Sequence, residues 1–128
     1  MGVGKTFFAK EIAHALGADK RGTASPTFAL VHEYRTTKAL LLHVDLYRLL
    51  ESVSFLYQVE MLGIRELRDE GAIALVEWGE KATEALGGEP IARVKLERTG
   101  ATSRKISVDG EWIEPHLPCA RELSLIHI

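Results

Sequence analysis

Two short apolar runs, each closed by a carboxylate, constrain the fold of this 128-residue chain more than any other feature. The runs are Ala39–Val44, followed by Asp45, and Ala72–Val76, followed by Glu77. Almost continuous apolar runs of this length are typical of strands that are covered on both faces. Such strands occur in sheets that carry helices on both sides, so the sequence predicts an α/β domain.

Composition narrows the class of protein further. The formal net charge is −2, with 46% apolar and 27% charged residues, close to the values of an average globular domain. These values exclude a disordered or collagen-like chain, and no apolar run reaches the roughly 20 residues that a membrane-spanning helix needs. The near-neutral charge gives no basic surface for nucleic acid. Cys119, the only cysteine, cannot form a disulfide within the chain, which favours a reducing, cytoplasmic location.

Hydrophobic periodicity predicts the order of the other elements. A helix over Lys5–Leu16 ends at Gly17, and a strand over Thr27–Tyr34 pairs with the first apolar run as a hairpin. Three further helices and two further strands are predicted, in chain order, at Ser52–Met61, Ile64–Glu70, Lys81–Leu86, Ala92–Glu97 and Arg104–Val108.

The end of the chain shows no clear periodicity. Residues 1–110 are therefore interpreted as one domain, incomplete at its N-terminus, and residues 111–128 as an irregular tail. The last six residues, Leu123–Ile128, resemble the translation of a common sequencing adapter. This resemblance is the basis for the hypothesis that the tail is artefactual.

The segment before the first helix has the residues of a phosphate-binding loop. The second half of the pattern G-x-x-x-x-G-K-[ST], whose first glycine would precede the chain, is matched by Gly2, Val3, Gly4, Lys5 and Thr6. Glycines let backbone N–H groups wrap around phosphate oxygens, while the lysine reaches the terminal phosphates and the threonine hydroxyl binds magnesium. The start of the helix adds a favourable dipole for an anion. The alternative is an ordinary glycine-rich turn before a helix.

A phosphate-binding loop needs an acid on the metal side, and the two apolar runs supply two candidates. Asp45 and Glu77 each follow a strand of buried type. Because parallel strands present their carboxyl ends to the same ligand-binding crevice, the two acids are expected to converge on the loop. The alternative for each of them is a solvated carboxylate just past a strand.

Three further residues are candidates for the same site. Ser25 and Thr27 flank a proline and could sense a γ-phosphate as switch loops do, although the start of a strand is the simpler interpretation. Trp78 follows the second acid and either stacks on a base or covers the sheet edge. His14 and His43 show no metal-ligand spacing and are interpreted as a surface residue and a packed residue.

Taken in order, the segments GVGKT, SPTFALVHEY, HVDLYRL and LVEWGEK resemble one family. They occur in the same order in the bacterial ATPases of tRNA threonylcarbamoyladenosine biosynthesis, the TsaE or YjeE family, and the resemblance runs from Gly2 to about Val108. It implies a P-loop NTPase-like mixed sheet flanked by helices, with the first strand missing here. It also implies a subunit that binds ATP and Mg²⁺, hydrolyses slowly and works with TsaD and TsaB family proteins. Those partners install threonylcarbamoyl on the adenosine beside the anticodon of certain tRNAs.

The resemblance also implies a role for each candidate residue. The phosphates and the metal would be held by Gly2, Gly4, Lys5 and Thr6. Glu77 would be the acid on the metal side, and Asp45 would position the metal's shell or the attacking water. Ser25 and Thr27 would sense the γ-phosphate, and Trp78 would pack beside the nucleotide.

Two departures from the family pattern lead to further expectations. The strand and the first half of the loop are absent ahead of Gly2, so we expect an exposed sheet neighbour, aggregation and weak ATP binding and activity. Phe7 stands where many relatives carry a hydroxyl residue, which removes a candidate catalytic hydroxyl. Two other functions are compatible with the sequence: a P-loop small-molecule kinase, and a non-catalytic adaptor whose nucleotide state controls assembly.

Overall fold

The residues that the structure describes form a mixed sheet of seven strands with helices on both faces. This computed structural model describes residues 4–18, 25–28, 30–88, 92–110 and 125–128. The helices are α1 (Lys5–Ala15), α2 (Phe55–Met61) and α3 (Ile64–Asp69), none of them long and apolar enough to span a membrane. The strands are β1 (Ser25–Phe28), β2 (Val31–Arg35), β3 (Leu40–Asp45), β4 (Ile73–Glu77), β5 (Ala92–Arg98), β6 (Arg104–Gly110) and β7 (Leu125–His127).

The order of the strands in the sheet is β1-β2-β3-β4-β7-β5-β6. The three central pairings, of β3 with β4, β4 with β7 and β7 with β5, are parallel, whereas the pairings toward both edges are antiparallel. β3 and β4 run in register, so that Asp45 lies opposite Glu77. The predicted mixed α/β sheet is therefore confirmed, and the carboxyl ends of the two apolar strands meet at one edge of the sheet.

Alternation along the central strands divides the core into two clusters, one on each face of the sheet. On one face, Leu75 of β4 lies in a cluster with Ala9 and Ala13 of α1. On the other face, Val76 lies in a cluster with Val59 of α2 and with side chains of α3. Ala9 and Ala13 are fully buried in this cluster, so α1 covers this face of the sheet. This packing brings the start of α1 to the carboxyl edge of the sheet.

Three local predictions are wrong. The segment predicted as one strand, Thr27–Tyr34, is split into β1 and β2, an antiparallel hairpin whose register shifts just after Pro26. Proline has no N–H for a strand ladder, so it disturbs regular pairing. The helix predicted over Lys81–Leu86 is reduced to one 3₁₀ turn, because so short a segment gains few helical hydrogen bonds. The helix predicted from Ser52 begins at Phe55, because the Ser52 hydroxyl accepts hydrogen bonds in the preceding turn.

The prediction of an irregular tail is wrong for Leu125–His127. These residues form β7, which lies between β4 and β5 and pairs in parallel with both. All three side chains are buried, and the strand was missed because three residues are too few to show a period. β4 is consequently paired on both sides, by β3 and β7. The expected exposed sheet neighbour is therefore not found beside β4.

The position of β7 predicts a large effect from a charge within it. Ile126 is 4% exposed, and its strand is the only described connection between β4 and the β5–β6 hairpin. We expect Ile126→Asp to lower the free energy of unfolding by at least about 3 kcal/mol, because an apolar contact is lost and an unpaired carboxylate is buried. Urea unfolding measures the change. The control Val108→Asp, at a half-exposed position of β6, should cost no more than about 1 kcal/mol. Equal losses would contradict the placement of β7.

Candidate nucleotide-binding site

The backbone at the start of α1 has features that favour the binding of an anion. Gly4 precedes the helix with a left-handed backbone, φ 96°, and a Cβ there would meet no atom within 4 Å. Glycine is therefore favoured here by conformation and not by lack of space. The first turn of α1 has no acidic residue and no side-chain cap, so no side chain of that turn neutralises the positive end of the helix dipole. Such a helix start attracts phosphate.

A chain of three ionisable side chains connects this helix start to the sheet. The Nζ atom of Lys5 lies 3.4 Å from Oε1 of Glu77, the last residue of β4. The other carboxylate oxygen, Oε2, lies 2.7 Å from Nε2 of His43 on β3. Glu77 is only 7% exposed, yet both of its oxygens have a partner. The arrangement holds a buried carboxylate against the lysine of the candidate phosphate-binding loop.

The partners of Glu77 decide its charge state. Burial alone would raise the pKa of the Glu77 carboxyl. The hydrogen bond and charge of His43, followed by the charge and hydrogen bond of Lys5, outweigh burial and hold this pKa below its ordinary value. The carboxylate therefore stays ionised at neutral pH, as a ligand for a cation must.

Asp45 lies beside Glu77 at the end of β3. The two residues are register partners on parallel strands, so their side chains leave the same face of the sheet. The Oδ1 atom of Asp45 accepts a hydrogen bond of 3.0 Å from the backbone N–H of Tyr47. This contact fixes the carboxylate where the chain turns away from the strand. The two acids are brought together at one edge of the sheet, and Lys5 touches one of them.

Trp78 has the most unusual backbone in this region. Its φ is 62°, and it is the only residue other than glycine with a positive φ in the described part of the chain. Such a conformation costs a bulky residue on the order of 1–2 kcal/mol. It turns the indole ring toward Tyr47, at 5.3 Å between ring centroids, and places it 5.6 Å from Nζ of Lys5. Trp78 is 44% exposed and lines a cavity together with Lys5, and its role beside a nucleotide stays a prediction.

The remaining residues predicted for the site make none of the side-chain contacts described above. Gly2 and Val3 lie outside the described residues. Thr6 lies in the first turn of α1 and is exposed, so its hydroxyl is open to a ligand. Ser25 and Thr27 belong to β1, which lies three strands from β4, about 14 Å at the usual strand spacing. The strand order does not bring them next to Glu77, and their role stays a prediction.

His43 is the residue that sequence reasoning missed. It was interpreted as a packed residue, and it is indeed buried, but its bond to Glu77 was not foreseen. The available signal was the alternation along β3, which puts His43 and Asp45 on the same face. The interpretation of His14 as a surface residue agrees with its exposure on α1.

The donor set fits a magnesium ion shared with phosphates. Among the described side chains there is no group of three or more His, Cys, Asp or Glu residues that could hold a metal ion. Magnesium prefers oxygen ligands and is commonly bound through one or two protein groups together with substrate phosphates. Thr6 offers a hydroxyl and Glu77 a carboxylate, which agrees with that mode of binding.

Fold and site together define an α/β protein of the P-loop type, with a helix that starts after a left-handed glycine at the carboxyl edge of parallel strands. The sequence profile of the threonylcarbamoyl adenosine biosynthesis protein TsaE matches residues 1–106, and the chain belongs to the TsaE family. The resemblance seen in the sequence is thereby confirmed.

Individual relatives agree with this assignment. The TsaE protein of Rickettsia bellii is 34% identical over 112 residues, which cover 88% of this chain and 74% of that protein. The TsaE protein of Bacillus subtilis is 34% identical over 107 residues, covering 84% and 63% of the two chains. For Aquifex aeolicus TsaE the identity is 44% over 82 residues, covering 63% and 53%. The chain thus spans about half to three quarters of the length of these relatives. No solved structure gives a significant match.

The lowered pKa of Glu77 predicts a pH-dependent stability difference between the wild type and Glu77→Gln. Its folded pKa lies below the ordinary value of 4.5, so the stabilisation is complete above about pH 4.5 and is lost as the pH falls through the folded pKa. At pH 7 we expect the variant to be less stable by about 1.5–3 kcal/mol, because hydrogen bonds to a charged group are replaced. Urea unfolding between pH 3 and 7 should show the gap narrowing toward acid. The exposed control Glu70→Gln should show no such gap, and a gap that widens toward acid would contradict the assignment.

Proposed function

We propose that this chain binds and slowly hydrolyses ATP in the cytoplasm, as a subunit of the machinery that installs threonylcarbamoyl on the adenosine beside the tRNA anticodon. Its partners in this proposal are TsaD and TsaB family proteins. The observation that supports it most directly is the 3.4 Å contact between Lys5 and Glu77 at the start of α1. Membership of the TsaE family, whose relatives are named for tRNA threonylcarbamoyladenosine biosynthesis, supplies the pathway.

In this proposal the triphosphate of ATP lies against the first turn of α1. Gly4 supplies a closely approaching backbone, and Lys5 exchanges its contact with Glu77 for the terminal phosphates. Thr6 and the freed carboxylate oxygen of Glu77 would hold Mg²⁺. Magnesium would neutralise charge on the β- and γ-phosphates. His43 keeps its hydrogen bond to the second oxygen of Glu77, so the carboxylate stays in place while Lys5 moves.

Asp45 is proposed to orient either the attacking water or the coordination shell of the magnesium ion. Its carboxylate lies next to Glu77 in the sheet, and the hydrogen bond from Tyr47 fixes one oxygen. Phosphoryl transfer asks the protein mainly for positioning and charge neutralisation, which two fixed carboxylates and a mobile lysine can supply. The carbamoyl transfer itself would take place on the partner proteins. The near-neutral charge agrees with this division, because the chain need not grip tRNA by itself.

The role of Lys5 is tested with Lys5→Ala. We expect at least a tenfold loss of Mg-ATP affinity, about 1.4 kcal/mol, because the side chain that reaches the terminal phosphates is removed. Isothermal titration calorimetry measures the change in affinity. The matched control is Lys10→Ala, a lysine on the exposed face of the same helix, which should bind like the wild type. Equal affinities of all three proteins would refute the phosphate site.

The role of hydrolysis is tested with Glu77→Gln in a reconstituted reaction with TsaD and TsaB family proteins and tRNA. We expect ATP turnover to fall at least about tenfold, as is typical when a metal-site carboxylate is lost, and tRNA modification to stop while the complex still assembles. The exposed control Glu51→Gln should behave like the wild type. If modification persists in Glu77→Gln without ATP turnover, a nucleotide-dependent adaptor describes the chain better than an ATPase.

A further inference from the structure

The strand β6 forms one edge of the sheet, and among the described residues no strand lies on its outer side. On its inner side it pairs with β5 over its whole length, Arg104–Gly110. A strand at an edge presents a row of N–H and C=O groups to which another strand can bind. None of the roles proposed above uses this edge.

The hydrogen bond that closes the β5–β6 hairpin determines which main-chain groups of β6 point outward. The N–H of Thr99 donates to the carbonyl oxygen of Ser103 at 3.1 Å, so this pair lies at a bonded position. Bonded and non-bonded pairs alternate along antiparallel strands, and the next pair along the hairpin is therefore non-bonded. By this alternation, the N–H and C=O groups of Arg104, Ile106 and Val108 point away from β5.

The side chains of β6 alternate between apolar and charged residues. Ile106 and Val108 are 54% and 51% exposed, and Ile106 lines a cavity together with Phe7 of α1. Lys105 and Asp109 lie on the opposite face of the strand, and both are exposed. The edge thus combines two half-exposed apolar side chains with one charge of each sign.

A second copy of β6 complements this edge in one particular register. With antiparallel pairing about a two-fold axis at Ser107, Lys105 of each copy lies opposite Asp109 of the other, and Ile106 lies opposite Val108. The outward N–H and C=O groups of Ile106 and Val108 then bond to each other, as the alternation requires. An axis at Ile106 or Val108 would instead place Ser107 opposite one of the charged residues and leave the other charge without its counterpart.

We propose that two copies of this chain associate through β6 as a symmetric dimer, in which the two sheets join into one continuous sheet. Two-fold dimers are the commonest oligomers, and their interfaces are self-complementary. The pairs of Lys105 with Asp109 set the register, because like charges opposite each other destabilise a strand pair. One strand pair is a small interface, so the dimer dissociates on dilution. The proposal does not depend on ATP binding.

Sedimentation velocity of the full chain over a range of concentrations tests the dimer. The wild type should shift from monomer to dimer as the concentration rises. Lys105→Glu and Asp109→Lys should each weaken the dimer at least about tenfold, because each places two pairs of like charges at the interface. The double variant reverses both charges and should dimerise like the wild type. The control Lys38→Glu makes the same charge change in the turn between β2 and β3 and should have no effect.

Mixing the two single variants tests the charge pairing directly. In a mixed dimer each reversed side chain lies opposite a side chain of the other charge, so an equimolar mixture should dimerise although neither variant does so alone. Circular dichroism establishes beforehand that both variants are folded like the wild type. Failure of the folded variants to associate when mixed would contradict the proposed pairing of Lys105 with Asp109.

The register is tested with Ser107→Cys in a chain that also carries Cys119→Ser. At the two-fold axis, position 107 lies opposite itself in a non-bonded pair, where the Cα atoms are about 4.5 Å apart and a disulfide can form. Oxidised glutathione should therefore produce a covalent dimer, whereas the control Ser103→Cys in the same background should stay monomeric.

Three results overturn the proposal. The first is a wild type that stays monomeric at its highest soluble concentration. The second is a dimer that Lys105→Glu and Asp109→Lys leave unchanged, because the chain would then associate through another surface. The third is a covalent dimer that forms as readily with Ser103→Cys as with Ser107→Cys, because the strands would then pair in another register.

Discussion

The ionised carboxylate of Glu77 is the point on which the rest of the site depends. It joins three elements that are far apart in the chain, because Lys5 comes from α1, His43 from β3 and Glu77 itself from β4. A buried carboxylate without partners would become protonated or would destabilise the fold. His43 and Lys5 together hold the pKa of Glu77 below its ordinary value, and the Lys5 contact also joins the start of α1 to the sheet.

The unfavourable features of the molecule are concentrated at this edge. Glu77 is a buried charge, and Trp78 directly after it has a left-handed backbone that bulky residues avoid. Gly79 follows, and a Cβ there would come within 2.8 Å of Val76. Three consecutive residues thus combine burial of charge, backbone strain and close packing. The two apolar clusters on the faces of the sheet supply the stability that allows this arrangement.

The sequence predicts well those features that depend on local patterns. The apolar runs of β3 and β4 and the glycine before α1 are local, and each was recognised in place. The hydrogen bond between His43 and Glu77 joins residues 34 positions apart, so no local pattern contains it. β7 is only three residues long, and its burial comes from the strands on either side and from side chains packed on both faces of the sheet. Parallel pairing of this kind is decided by tertiary packing, which overrides weak local preferences.

The same short strand also supports the proposed phosphate site. Ile126 of β7 lies in one cluster with Ala9 and Ala13, so β7 helps to position the helix that presents Lys5. β7 also pairs with β5 and so joins the β5–β6 hairpin to the strand that carries Glu77. A change in this strand should therefore disturb the proposed phosphate site, although β7 contributes neither Lys5 nor Glu77.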